Sequence, residues 1–350
     1  MTVHFLDVMM MDSVKKINGE RSISAVYHLF RGKKSSQTIQ DASLFNLTAY
    51  FGFYPRFTRE QLNASIRKLE KSGIVHAVED TYRITEQGAA TLERKLNEKP
   101  WPNYYHGAHY QDIAKILWMR LSLLVQVLSN DTANCHQYVP IQRDYAVQLW
   151  VKNYLRHHPN RFQLTHELHQ ELETLLMRLN DKQALIFVYS LTSHERIGQT
   201  YHQLAEWINE DGWYVYTLFW DVIHYFIQYS QKGETPIIRG LIGDFANKQV
   251  LTVSTRRTLE LVQKGATIDQ IATIRSLKQA TIEDHIVELS IQEPSFSIEP
   301  YIGEDEQKAI IHVAKKLGTN KMKRIKEGLN HQYSYFQIRL ALTRMVKANG

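Results

Sequence analysis

Basic side chains are concentrated near the end of the chain, in residues 315–347. They are Lys315, Lys316, Lys321, Lys323, Arg324, Lys326, Arg339, Arg344 and Lys347, and one acidic residue, Glu327, lies among them. Tyr333, Tyr335 and Phe336 are interspersed with these cations. Cations bind phosphates, and exposed aromatic rings stack on unpaired bases at about 1–3 kcal/mol each. The pattern predicts a nucleic-acid-binding surface; the alternative is that the rings are core residues beside a solvated lysine face.

A second candidate surface lies near the start of the chain. Arg59, Asn63, Arg67 and Lys71 flank the apolar stripe of one helix in the sequence TREQLNASIRKLEKSG. These side chains predict contacts to DNA. The hairpin that follows carries Glu79–Asp80 at its tip, and carboxylates repel phosphate. DNA binding and a structural role therefore both stay open for this region.

Motifs for catalysis or metal binding are weak. His166 and His169 have a spacing that could hold a metal with Glu173, but no HExxH arrangement or third-ligand signature accompanies them. GKKS resembles the end of a phosphate loop, yet Tyr27 occupies the place of its first glycine. Cys135 is the single cysteine, which excludes an internal disulfide framework and a cysteine-based zinc finger. We therefore expect no enzyme activity, no cofactor and no metal site.

Residues 1–100 read as three helices, a short hairpin and a further helix. Ser22 is the predicted cap of the first helix, and Thr58 with Gln61 has the spacing of a capping box. The run KLEKSGIV…YRITEQG resembles the third helix and wing of winged-helix proteins. We expect a winged-helix domain here, a fold that also serves in protein docking.

Residues 101–245 are expected to form an all-helical domain. Pro100 and Pro102 mark its start, and a glycine-rich segment around Pro236 marks its end. QALIFVYS has the composition of a strand, but its helical neighbours predict a helix. Residues 213–229 are aromatic nearly all round and contain no Lys or Arg. Such a helix is predicted to be core or a surface that docks a protein partner.

Residues 246–350 predict a C-terminal tandem of helix-turn-helix units. In STRRTLELVQKGATIDQIATIRSLKQATIEDHIVELS, Thr267 caps a second helix through Arg275, and a short turn leads to a third helix from Gln279 to Leu289. This segment resembles the LuxR-type and sigma-factor-type pattern. Its third helix carries Glu283, Asp284 and Glu288, so whether it reads DNA or serves as a scaffold stays open. Three further short helices follow. The fold class expected for the chain is therefore mainly α, with one small β-hairpin.

The charge and hydropathy of the chain indicate where the protein acts and what it binds. The net charge is +6, and the last 50 residues carry ten basic and four acidic side chains. No stretch approaches the roughly 18 apolar residues of a membrane span, and no basic segment precedes the N-terminal apolar run. We expect a cytoplasmic, nucleoid-associated protein that binds DNA and no membrane.

Two stretches carry a family resemblance. GKKSSQTIQDASLFNL and the run 254–350, with its IKEGL and SYFQIRLAL elements, resemble the YpbB family of Gram-positive bacteria. That family shares its C-terminal helix-turn-helix segment with the tail of some RecQ-type helicases. The resemblance implies a non-catalytic companion of a RecQ-like DNA helicase in recombination, repair or replication-fork maintenance. It further implies single-stranded or branched DNA and single-stranded-DNA-binding protein as partners. The residues alone leave two alternatives, a winged-helix transcription regulator and a protein-interaction scaffold without DNA affinity.

Overall fold

The computed structural model describes residues 3–245, 251–293 and 295–347. Within them the protein is mostly helical, and the only sheet is one two-stranded antiparallel hairpin. The fold class predicted from the sequence is confirmed.

The helices and strands follow one another along the chain with short connections. The first part contains α1 (Phe5–Ile17), α2 (Ser24–Phe30), α3 (Ser36–Leu44), a 3-10 turn (Thr48–Tyr50), α4 (Arg59–Lys71), β1 (Val75–Val78), β2 (Thr81–Ile84) and α5 (Glu86–Glu98). The middle contains α6 (Gly107–Thr132), α7 (Tyr145–His157), α8 (Arg161–Leu176), α9 (Asp181–Ser190), α10 (Tyr201–Trp207), α11 (Gly212–Ser230) and α12 (Pro236–Ile242). The last part contains α13 (Val253–Gln263), α14 (Ile268–Arg275), α15 (Gln279–Gln292), α16 (Glu304–Leu317), α17 (Met322–Gly328) and α18 (Tyr335–Lys347).

Local capping chemistry fixes several of these helix starts. Thr58 accepts a hydrogen bond from the Gln61 backbone N–H while the Gln61 side chain accepts one from the Thr58 N–H, and Thr267 does the same with Gln270. Both predicted caps are confirmed. The predicted cap Ser22 is wrong, because α2 begins after Ile23. Ser22 instead forms an isolated antiparallel bridge with Thr81, so its backbone pairs with the hairpin.

The chain divides into two compact units. The first comprises residues 1–9 and 93–248, and the second comprises residues 10–92 and 249–350. The second unit therefore contains most of the first predicted domain together with nearly all of the third. The predicted boundaries at residues 100 and 245 stay predictions about independently folding domains.

The first unit is a helical assembly with α6 and α11 at its core. Asp221, Ile227 and every residue between them are buried, and the rest of α11 is buried or half-buried. Of the two roles predicted for residues 213–229, the structure therefore supports core rather than an open docking surface. QALIFVYS lies in α9, so its prediction as a helix is confirmed.

The second unit is built around α15. This helix packs against α13 and α14, as expected for a helix-turn-helix, and also against α3 and α18. Ile282, Ile286 and Leu289 are fully buried within it. Burying apolar area of this kind is the main favourable contribution to folding. Consequently, α15 is a central core helix of the second unit.

Candidate nucleic-acid interface

Five exposed cations of the second unit lie around the junction of α16 and α17. Lys315 and Lys316 are exposed in the last turn of α16, which ends at Gly318 with a φ of +57°. That left-handed conformation is accessible to glycine at little cost and lets the chain turn into α17. Lys321, Lys323 and Arg324 are exposed at the start of α17. A group of five solvated cations therefore occupies one junction of the fold.

The aromatic ring of Tyr335 extends this surface to the start of α18. The Lys326 ammonium lies 4.4 Å from the centroid of the ring, a cation–π distance. Tyr335 nevertheless remains 46% exposed. The first residues of the second helix of a helix-turn-helix pair are those that meet the bases. Lys326 and Tyr335 thus combine a phosphate-binding group with a ring that can stack.

The turn between α17 and α18 has an unusual backbone. Asn330 and His331 both have positive φ values, 50° and 61°, and both side chains are exposed. Ser334 then caps α18 by accepting from the Gln337 N–H at 3.2 Å, and its own N–H donates to the Gln337 side chain at 3.0 Å. These bonds hold the start of α18 beside α17, where Ile325 and Ile338 anchor the pair in the core.

Two cations predicted from the sequence, Arg339 and Arg344, do not contribute to an exposed surface. The guanidinium of Arg339 donates to Asp284 at 2.6 Å and to Gln40 at 3.0 Å, and it also donates to Ser36. Its side chain is 16% exposed. Arg344 donates to the Phe296 carbonyl, and burial lowers its pKa. The predicted phosphate role of Arg339 and Arg344 is therefore corrected to a structural one. The side chain of Lys347 lies outside the described part of the chain.

The candidate surface on α4 is only partly available. Arg67 and Lys71 are exposed, and Asn63 is half-buried. Arg59 lies 4.1 Å from the centroid of the Tyr27 ring and donates to Ser24 Oγ at 2.8 Å. Arg59 thus joins α4 to α2, and its predicted phosphate role stays a prediction.

A positive electrostatic environment surrounds His28 on α2. Burial is the first cause that lowers the pKa of this histidine, and the nearby charges of Lys33, Arg59 and Arg31 lower it further. Lys33 and Arg31 are both exposed. The end of α2 and the segment before α3 therefore add cationic surface next to α4.

The acidic residues of α15 have structural partners. Asp284 pairs with Arg339, and Glu288, 4% exposed, accepts from the Thr252 N–H and from Thr255 Oγ1, both at 2.7 Å. His285 is buried with its Nδ1 2.8 Å from Thr258 Oγ1. Burial, followed by the charge of Arg275, lowers the pKa of this histidine. Of the two roles left open for this unit, the geometry favours the scaffold, because the polar groups of α15 face its neighbours.

Comparison with known proteins agrees with the helix-turn-helix geometry. A family described as a helix-turn-helix domain matches residues 254–342, which run from α13 into α18. Protein YpbB of Bacillus subtilis (strain 168) is 49% identical over 349 residues, which cover 99% of each chain. The chain belongs to the YpbB family. No solved structure matches it. The family assignment confirms the resemblance seen in GKKSSQTIQDASLFNL and in the run 254–350. It does not assign a function to either stretch.

One residue that positions the candidate surface of this YpbB-family protein escaped the sequence reasoning. Glu20, which follows α1, accepts from Thr319 Oγ1 at 2.8 Å and from the Asn320 N–H at 3.1 Å. These bonds fix the loop that carries Lys321 into α17. The two partners are about three hundred residues apart in the chain, so no local pattern could have indicated the contact.

The remaining residues weighed for chemistry do not assemble into a site. Among the residues that the structure describes, no group of three or more His, Cys, Asp or Glu side chains could hold a metal ion, and His166, His169 and Glu173 are all exposed on α8. In the same part of the chain, none of the helices has the length and hydropathy needed to cross a membrane.

Proposed function

We propose that this YpbB-family protein is a DNA-binding adaptor that holds the phosphate backbone with the α16–α17 junction. The observation that carries the proposal is the exposed group Lys315, Lys316, Lys321, Lys323 and Arg324 inside a helix-turn-helix domain. Helix-turn-helix domains are typical DNA-binding modules. Clustered cations bind DNA because they release condensed counterions from the phosphates.

The exposed side chain of Tyr335 indicates which form of DNA the surface would prefer. Tyr335, which is 46% exposed, is suited to stack on a base that is not paired. We propose single-stranded or branched DNA as the preferred ligand. Asn63, Arg67 and Lys71 form a proposed second contact, which a branched substrate with two arms would engage.

Fluorescence anisotropy with labelled single-stranded, duplex and branched oligonucleotides tests the proposal. The triple change Lys321→Glu, Lys323→Glu and Arg324→Glu is expected to weaken binding by about a hundredfold or more at moderate salt, because three phosphate contacts become repulsive. The matched control is Lys115→Glu, Lys232→Glu and Arg239→Glu, three exposed positions of the first unit. Equal losses in both triple variants, or no loss in the first, would contradict the proposal.

We further propose that the protein acts with a RecQ-like helicase in DNA recombination, repair or replication-fork maintenance, at the nucleoid in the cytoplasm. The support is the resemblance of IKEGL and SYFQIRLAL to the tail of such helicases. We assign no catalytic step to the protein itself. Affinity capture from native lysate, with and without nuclease, tests this role. A helicase retained after nuclease treatment is the expected result, and its loss would show that DNA alone bridges the two.

A scaffold without DNA affinity is the second candidate. The burial of α15 favours it, because the helix that would read DNA in the first helix-turn-helix unit is a core element. This candidate predicts capture of a helicase together with no DNA binding even at low salt. The anisotropy and capture experiments together separate the two functions.

A further inference from the structure

Helix α7 in the first unit presents an unusual exposed face. Tyr145, Leu149, Lys152 and Arg156 are spaced so that they lie along one side of the helix. Tyr145 is 76% exposed and Leu149 is 42% exposed, and the two cations that follow are also exposed. The face is therefore apolar at its start and basic at its end.

The segment that leads into α7 also exposes apolar side chains. Val139 is 79% exposed and Ile141 is 43% exposed. Four large apolar side chains are thus solvated within a few residues of one another in the chain. Groups of exposed apolar side chains are typical of protein interaction sites.

A groove of about 500 Å³ lies along α7 and shares Lys152 and Arg156 with the exposed face of this helix. Its lining includes the apolar side chains of Leu123, Val127, Val151 and Leu155, together with Lys152 and Arg156. Concave sites with an apolar floor and a few charged groups are the usual form of a ligand-binding groove.

The segment 138–161, which forms part of the groove, is basic, whereas the rest of residues 101–250 is acidic overall. Residues 138–161 contain Arg143, Lys152, Arg156 and Arg161 and a single acid, Asp144, whereas the rest of 101–250 has eight basic and thirteen acidic side chains. Asp144 caps α7 by accepting from the Val147 N–H at 3.1 Å. Arg161 lies 3.7 Å from Asp131 and donates to two backbone carbonyls. Lys152 and Arg156 therefore supply most of the available positive charge.

We propose that the α7 groove docks an acidic segment of a partner protein whose apolar side chains enter the groove and whose carboxylates meet Lys152 and Arg156. Of the four exposed apolar residues, Val139, Ile141 and Leu149 are aliphatic and Tyr145 is aromatic. This excess of aliphatic side chains favours a protein over a nucleic acid, because bases stack on aromatic rings rather than on aliphatic side chains. The groove belongs to the first unit and does not depend on DNA binding by the second.

Labelled model peptides of about 14 residues test the groove by fluorescence anisotropy with the full-length protein. The probe carries leucines on one face of a helix and glutamates on the other. In one comparison peptide glutamine replaces every glutamate, and in another serine replaces every leucine. We expect saturable binding of the first peptide and at least about tenfold weaker binding of the other two. Absence of saturable binding by the probe would overturn the proposal.

Two double variants locate the binding. The first is Lys152→Glu with Arg156→Glu, and the second is Tyr145→Ser with Leu149→Ser. Each is expected to weaken binding of the probe peptide about tenfold or more. The control variant is Lys115→Glu with Arg239→Glu, two exposed cations that do not line the groove, and it is expected to leave the affinity for the probe unchanged. Unaltered circular dichroism and melting temperature check that each variant folds. Binding that survives both α7 double variants, or single-stranded DNA that competes with the probe, would contradict a protein-docking groove.

Discussion

The C-terminal domain contains two sets of three helices that use charge in opposite ways. In α13–α15 the third helix carries acids whose partners are other residues of the fold, such as Asp284 with Arg339. In α16–α18 the second helix carries Lys323 and Arg324 in solvent. In the set with the more typical sequence pattern the third helix is buried, whereas in the less typical set exposed cations cluster around the second helix.

The comparison shows that burial, more than residue type, separates a DNA-binding cation from a structural one. Arg339 and Arg324 have the same chemistry, but Arg339 has three side-chain partners in the second unit whereas Arg324 is exposed. A cation that already has fixed carboxylate and hydroxyl partners would have to break those bonds before it could bind phosphate. Only the exposed cations are therefore free to release counterions from DNA.

The largest expected difference between the two sets is in stability. Ile286 is fully buried in α15, and Ile286→Asp is expected to lower the free energy of unfolding by about 4 kcal/mol or more, because a charge would enter the core. Lys323→Asp on the exposed face is expected to change it by about 0.5 kcal/mol or less. Urea denaturation measures both, and Ile286→Val should cost about 1 kcal/mol. Similar changes in the free energy of unfolding for Ile286→Asp and Lys323→Asp would contradict the distinction between a buried α15 and an exposed α17.

Arg339→Gln is expected to lower the free energy of unfolding by about 2 kcal/mol. The change removes the ion pair with Asp284 and leaves Gln40 and Ser36 short of a partner, and the partial exposure of Asp284 reduces the cost below that of a fully buried pair. Arg324→Gln is the matched control, with an expected change of about 0.5 kcal/mol or less. Denaturation and DNA titration are run on both variants. A stable Arg339→Gln protein with weakened DNA binding would return Arg339 to the interface.

Tyr335→Ala is expected to weaken binding to single-stranded DNA by about 1–2 kcal/mol because the stacking ring is lost. Duplex DNA, whose bases are already stacked, should lose less. Tyr335→Phe keeps the ring and should bind like the unchanged protein. Parallel anisotropy titrations with the two DNA forms give the comparison, and equal losses for both forms would remove the role of stacking.

The smallest expected effect is a dependence of stability on pH that arises in the first set. His285 has a folded pKa below its ordinary value of 6.5, because of burial and then Arg275. The unfolded chain binds the proton more readily, so the stability supplied by neutral His285 is complete above pH 6.5 and decreases as the pH falls below that value. His285→Gln should flatten this part of the profile in denaturation experiments between pH 7 and pH 5. An unchanged pH profile in the His285→Gln variant would mean that protonation of His285 does not change the stability of the fold.

Local patterns in the sequence predicted much of the fold and less of the site. The helix caps at Thr58 and Thr267 and the helix at QALIFVYS depend on neighbouring residues, so their positions could be read directly. The roles of Arg339 and Glu20 depend on partners about three hundred residues away. Composition alone therefore overestimated the cations available on α18 and gave no indication of the loop contact that holds the start of α17.

The most direct test of the central claim compares two matched double variants of the C-terminal domain. Lys323→Glu with Arg324→Glu alters the second set, and Lys264→Glu with Lys278→Glu alters two exposed cations of the first set. Anisotropy with duplex DNA, measured from about 50 to about 300 mM salt, gives the slope of log affinity against log salt, which changes by about 0.9 for each phosphate contact to a duplex. We predict that the first variant reduces the magnitude of the slope by about two and that the second leaves it unchanged. A reduced slope in the second variant with an unchanged slope in the first would contradict the account.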